Sequence, residues 1–277
     1  MTITKRSHFW NTRWCFGLIA FSFLVILAYL EIRNRKWVTS SSKMGDQSTV
    51  TWPKVILLGD SLTQYSMDPN NGWATILANS LQRRCDVIVR GFVGYNSVMT
   101  RHLLPRIENT FDGLVAVVVI FLGANDVANA TKNPQQHVPL EKYAENLAWM
   151  VQFVKAKGVC ADKIILMGPP AVNGEKVTDR DLEQAKKYAR KCDEVASLVD
   201  VSSVNLCDLM QQKFGNGSWK ELLIDGLHFS PEGNAFVASE LLPLVTQKMK
   251  THQQLFPVWN EISTDDPAGS INKWTPA

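Results

Sequence analysis

Ser61 stands in Gly59-Asp60-Ser61-Leu62, directly after a short apolar run, and Asp225 precedes His228 by three positions. These residue types are the parts of an acyl-transfer reaction. A serine hydroxyl is a weak nucleophile until a base takes its proton. An imidazole can be that base when a carboxylate accepts its Nδ1–H, which fixes the tautomer and leaves Nε2 free to receive the proton. A carboxylate three residues ahead in a turn can reach the ring. Of the 5 histidines, His8, His102, His137 and His252 have no Asp or Glu at that spacing, and His228 has Asp225. A tetrahedral intermediate also needs donors for its oxyanion. The backbone N–H of Ser61, the backbone N–H of Gly94 and the side-chain amide of Asn125 can supply them. Glycine at 94 suits a backbone that must approach the reacting carbonyl closely.

Taken singly, each residue has an ordinary structural use. A serine after Gly-Asp is commonly a turn residue, and Asn125-Asp126 is common loop and capping chemistry. His137, in a proline-flanked loop, reads as structural or pocket-lining rather than catalytic. Taken together and in this order, they read as one site. The chain contains no G-x-S-x-G, no HExxH, no phosphate loop and no G-x-G-x-x-G. That excludes an α/β-hydrolase nucleophile elbow, a zinc protease and a nucleotide enzyme. The reading calls for no metal and no cofactor.

Such a site needs elements to hold it. From Trp52 onward, short apolar runs alternate with helical periodicity. Strands are predicted at 54–58, 86–90, 114–122, 163–167 and 199–204. Helices are predicted at 72–84, 98–107, 140–157, 179–198 and from Ser230-Pro231 to about Met249. The run Leu114–Leu122 is apolar throughout and β-branched at many positions, as a strand covered on both faces should be. Regular alternation of strand and helix predicts a mostly parallel sheet with helices on both faces. In such a sheet reactive groups gather beyond the carboxyl ends of the strands. The clusters Gly59–Leu62, Gly91–Asn96 and Gly123–Asp126 fall there, after the first, second and third strands.

At these residues the chain resembles the GDSL, or SGNH, hydrolase family. The resemblance rests on four blocks in order: Gly59-Asp60-Ser61-Leu62, Gly94 with Tyr95-Asn96, Gly123-Ala124-Asn125-Asp126, and Asp225-Gly226-Leu227-His228. It runs from about Trp52 to Trp259. Three further segments look most like the isoamyl acetate-hydrolysing esterases: 84–87, 133–140 and 227–234. The resemblance implies a three-layer α/β/α sandwich with a five-stranded sheet and a carboxylic-ester hydrolase working without metal. It implies Ser61 as nucleophile, His228 as base and Asp225 as its orienter, with Ser61, Gly94 and Asn125 forming the oxyanion hole. The same roles follow from the residues themselves.

The net charge of +3 is unevenly spread: residues 1–50 carry +5 and the remainder −2. A nucleic-acid-binding body is therefore disfavoured. Trp14–Leu30 is an uncharged run of 17 residues flanked by basic side chains. It reads as a single-pass transmembrane anchor, ahead of a cleaved signal peptide, because the run is long for a signal and no small-x-small cleavage site precedes Glu31. Three basic residues before the span and four after it leave its orientation open. The sequons Asn129-Ala-Thr131 and Asn216-Gly-Ser218 lean toward a lumenal or extracellular body. The predicted organisation is a basic flank (1–13), the anchor (14–30), a polar stalk (31–51), the hydrolase domain (52–254) and a tail (255–277), which either folds back over the body or ends loosely. Cys85, Cys160, Cys192 and Cys207 show no zinc or disulfide spacing and read as isolated buried thiols. The expected protein is a membrane-anchored serine esterase acting on a small or lipid-like ester through an acyl-enzyme. An acyltransferase, a thioesterase and a catalytically silent tethered module are the alternatives.

Overall fold

The structure, a computed structural model, describes residues 26, 29–32 and 49–274. The chain divides into a unit ending at Thr49 and a unit beginning at Val50. The predicted anchor at 14–30 lies outside the described residues, apart from 26, 29 and 30. Among the described residues no helix is long and apolar enough to cross a membrane.

The second unit is built on five strands: β1 (Lys54–Gly59), β2 (Asp86–Gly91), β3 (Val115–Phe121), β4 (Ile164–Met167) and β5 (Ser202–Val204). Their order is β2-β1-β3-β4-β5 and every pairing is parallel. All seven residues of β3 are buried, and only the first residue of β1 is not. Uniform burial is what a central strand covered on both sides requires, and it explains the unbroken Val/Ile runs.

The connections fix the layers. α2 (Trp73–Ser80) carries the chain from β1 outward to β2. α3 (Ser97–Leu103), α4 (Leu140–Ala156) and α5 (Leu182–Leu198) carry it back across β1 and on to β5. Right-handed crossovers in opposite directions put their helices on opposite faces. The packing agrees: α2 packs against α7 (Pro231–Lys248), while α3 packs on α4 and α4 on α5. The result is a helix–sheet–helix sandwich. Its strand order reverses between β1 and β3, so the crevice at their carboxyl ends is where a ligand site is expected.

Several predicted boundaries shift for identifiable reasons. The helix predicted at 98–107 gives way at Leu104 to a 3-10 segment, because Pro105 has no N–H to continue the α-helical ladder. The helix predicted at 72–84 ends at Ser80, and Arg83 adopts a left-handed conformation (φ 64°) in the turn that follows. The helix predicted from 179 starts at Leu182, capped by the Asp181 side chain on the Gln184 N–H. The tail folds back at its start: Leu255 N–H donates to Arg83 O at 2.9 Å, and the Phe256 ring lies 6.3 Å from Trp52. Cys85, Cys192 and Cys207 are buried as expected. Cys160 is exposed, because it sits in the surface turn that leads into β4.

Candidate active site

β1 delivers the chain to Gly59 with no room for a side chain. A Cβ there would lie 2.2 Å from Thr63 Oγ1 and 2.5 Å from Phe121 O. The strand then turns directly into the short helix α1 (Ser61–Gln64), with Asp60 as its N-cap accepting the Leu62 N–H. Ser61 is thereby the first residue of that helix.

His228 comes from the far end of the domain, yet its Nε2 lies 2.9 Å from Ser61 Oγ. A tight reversal makes this possible. Leu223 and Phe229 form an antiparallel bridge and Ile224 N–H donates to His228 O at 2.9 Å. Within that reversal Asp225 Oδ1 accepts the N–H groups of Leu227 (2.9 Å) and His228 (2.8 Å), while Oδ2 faces His228 Nδ1 at 2.7 Å. Burial works to raise the Asp225 carboxyl, but bonds from the His228 ring and from both backbone N–H groups hold it below the usual carboxylate range. Asp225 is therefore an anion at neutral pH, and Nδ1 carries the proton that it accepts. The edge of the Tyr65 ring closes over the imidazole at a centroid distance of 5.6 Å.

The two other predicted donors lie in the loops that follow β2 and β3, the strands on either side of β1. Gly94 follows β2 in a left-handed conformation (φ 77°). The nearest atom to a Cβ built there is 3.4 Å away, so it is the backbone angle rather than crowding within the protein that demands glycine. Asn125 follows β3, is buried, and donates one amide hydrogen to Tyr95 O at 2.9 Å. Further bonds stitch the three loops together. Val93 N–H donates to Gln64 Oε1 (2.9 Å), and Ser97 N–H donates to Asp126 Oδ1 (3.0 Å). Among the described residues, the N–H groups of Ser61 and Gly94 have no backbone acceptor.

Burial pushes the Asp60 carboxyl up to about 7 and the Asp126 carboxyl up to about 6, each against backbone N–H bonds that oppose the rise. Both act structurally, as helix cap and as loop tie. His137 stands apart, with Nδ1 2.6 Å from Ala128 O. Sequence reasoning missed Arg180 and Gln136. The Arg180 guanidinium donates to Ala124 O and to Asn125 Oδ1, and Gln136 Nε2 reaches Gly94 O at 3.3 Å. The pattern Asp181-x-x-Gln184 is a capping signal that would have released Arg180 from the predicted helix.

Beside His228 opens a cleft of about 350 Å³, lined among others by Leu62, Tyr65, Met67, Ile224 and Phe229. The exposed side chains of Tyr65, Met67 and Ile224 form its rim. A serine hydroxyl bonded to an imidazole that a carboxylate orients, next to an apolar cleft, is an arrangement suited to acyl transfer.

Known proteins resemble this chain along most of its length. Residues 57–236 match the GDSL-like lipase/acylhydrolase family. The chain is 39% identical over 236 residues to the isoamyl acetate-hydrolyzing esterase 1 homolog of Bos taurus, covering 81% of this chain and 94% of that protein. The Homo sapiens homolog is 38% identical over 240 residues, covering 82% and 95%. Among solved structures, a lipase/acylhydrolase from Enterococcus faecalis superposes with a TM-score of 0.58 at 23% identity, covering 73% of this chain and 98% of that one. The last likeness concerns the fold alone.

Proposed function

Since the chain belongs to the GDSL-like lipase/acylhydrolase family and is a carboxylic ester hydrolase, we propose that it works through an acyl-enzyme on Ser61. The observation that carries this reading is the unbroken line from Asp225 Oδ2 to His228 Nδ1 at 2.7 Å and from Nε2 to Ser61 Oγ at 2.9 Å. Ser61 Oγ attacks the ester carbonyl and its proton passes to Nε2. The oxyanion is held by the N–H groups of Ser61 and Gly94 and by Asn125 Nδ2. Collapse of the intermediate expels the alkoxide, which leaves as alcohol with the proton from His228. Water then attacks the acyl-enzyme, His228 taking its proton and returning it to Ser61 as the acid departs.

The substrate is an ester whose apolar chain occupies the cleft rimmed by Tyr65, Met67 and Ile224. A volume of about 350 Å³ favours short or medium chains, in keeping with the acetate ester in the names of the cattle and human relatives. Loss of a single oxyanion donor is worth about 10²- to 10³-fold in kcat in enzymes of this chemistry. Asn125→Ala is accordingly expected to lower kcat on p-nitrophenyl butyrate by that factor, with KM within about threefold. An unchanged kcat would remove Asn125 from the oxyanion site.

The run Trp14–Leu30 anchors this hydrolase in a membrane, with the catalytic body on the lumenal or extracellular side. Its support is the length and lack of charge of the run and the exposed positions of Asn129 and Asn216 in their sequons. A fluorophosphonate probe tests chemistry and topology together. The full chain should be labelled and should stay with the membrane fraction after a carbonate wash. A membrane-impermeant form of the probe should label it only once internal compartments are opened, or at the surface of intact cells. Label recovered in the wash, or reached after selective opening of the plasma membrane alone, would overturn the anchor or its orientation respectively.

A further inference from the structure

Arg180 lies in the loop between β4 and α5, outside the reacting groups, and its side chain is only 5% exposed. Each of its three guanidine nitrogens is committed. Nε donates to Ala124 O at 2.8 Å. Nη1 donates to both oxygens of Asp179, at 2.7 and 2.9 Å. Nη2 donates to Asn125 Oδ1 at 3.1 Å and to Gln136 Oε1. The partners are anchored in turn. Asn133 Nδ2 donates to Asp179 Oδ2 (2.7 Å) and to Gln136 Oε1 (2.9 Å), and Gln136 Nε2 donates to Gly94 O (3.3 Å).

This arrangement decides which way the Asn125 amide points. A guanidinium has only donors. The amide atom facing it must be the oxygen, and Nδ2 is thereby turned to Tyr95 O. A flipped amide would set its NH₂ against the guanidinium and its oxygen against the Tyr95 carbonyl, losing two bonds and gaining two repulsions. The contact is specific to arginine, because an ammonium presents a point charge and cannot reach Ala124 O, Asn125 Oδ1 and Asp179 from one rigid plane.

We propose that Arg180 is a positioning residue of the oxyanion site, fixing the Asn125 amide. It touches no reacting atom, so its effect must pass through that amide. The inference rests on the reading of Asn125 as an oxyanion donor.

The test is a double-mutant cycle on the full chain, with p-nitrophenyl butyrate as substrate. Arg180→Lys keeps the charge opposite Asp179 and loses the fork. It should lower kcat by about 10- to 100-fold with KM within about twofold, and slow fluorophosphonate labelling in parallel. In an Asn125→Ala background the same change should cost less than about threefold, since the amide it orients is gone. Should Arg180→Lys fail to give a cooperatively melting protein, Asp179→Asn, which loosens the guanidinium without removing it, takes its place in the cycle with the same expected pattern and a smaller loss. A kcat for the lysine variant within twofold of the parent, or losses that multiply across the two sites, would overturn the proposal while leaving Asn125 as a donor. If Asn125→Ala itself leaves kcat unchanged, the oxyanion reading falls and this inference falls with it.

Discussion

Replacing Ser61 by alanine is expected to lower kcat by about 10⁴- to 10⁶-fold, the range seen when a serine nucleophile is deleted from a working triad. Among the described residues, the buried thiols and the hydroxyls next to Ser61 offer no substitute nucleophile. Burial pushes the thiols of Cys85, Cys192 and Cys207 up to about 11, 12 and 12, so they stay protonated at working pH and lie inside the protein. Thr63 is fully buried, and Ser66 Oγ is engaged with Thr63 O at 2.6 Å. The substitution costs the fold little. Among the described residues Ser61 Oγ bonds His228 Nε2 alone, and alanine is a favourable residue within a helical turn. The measurement is kcat on p-nitrophenyl butyrate beside a thermal melt, with fluorophosphonate labelling as a second readout. The melt should stay within a few degrees and the label should vanish. Turnover at the parental rate, or persistent labelling, would mean that another group attacks the ester.

The geometry around Ser61, Asp225 and His228 was legible because it depends on local chain structure. Gly59-Asp60-Ser61 is a strand end, an N-cap and a first helical residue, and Asp225–His228 is a reversal whose carboxylate caps its own backbone. Both devices use interactions between residues two or three apart, which a sequence displays directly. The parallel sheet was legible for a similar reason, since the unbroken apolar run at β3 admits few other uses. The support behind Asn125 was not. Arg180 contacts Ala124, Asn125 and Gln136 across separations of 56, 55 and 44 residues, and nothing in the local pattern fixes which loops will meet. The charged stretch from Asp179 continues naturally into the amphipathic pattern of α5, and this hid a buried arginine inside an apparent helix end. The short helix α6 (Leu206–Lys213) escaped notice because only Leu206, Cys207 and Met210 turn inward, too few to set a period. Thus the placement of the proposed reacting groups was readable, whereas the contacts behind Asn125 required the fold.

Asp225→Asn is expected to cost about 10³- to 10⁴-fold in kcat, with KM within a few-fold, and the size of the loss follows from two backbone bonds. Asp225 Oδ1 already accepts the N–H groups of Leu227 and His228. In the asparagine variant those two donors hold the amide oxygen in the same place. The NH₂ then stands where Oδ2 stood, 2.7 Å from His228 Nδ1. A donor at that point forces Nδ1 to be the acceptor and Nε2 to carry the hydrogen. Nε2 can then no longer take the proton of Ser61. The Asp225 side chain is 52% exposed, so solvent screens part of its charge, and stabilisation of the imidazolium is the smaller share of its contribution. The tautomer is the larger share. Asp225→Ala should therefore be less damaging than Asp225→Asn, because it frees the ring without fixing the wrong tautomer. Steady-state kinetics of the two variants, with melts to show both folded, decide between the contributions. An alanine variant slower than the asparagine one would assign the main role to charge. An asparagine variant within tenfold of the parent would show that His228 needs no orienter at all.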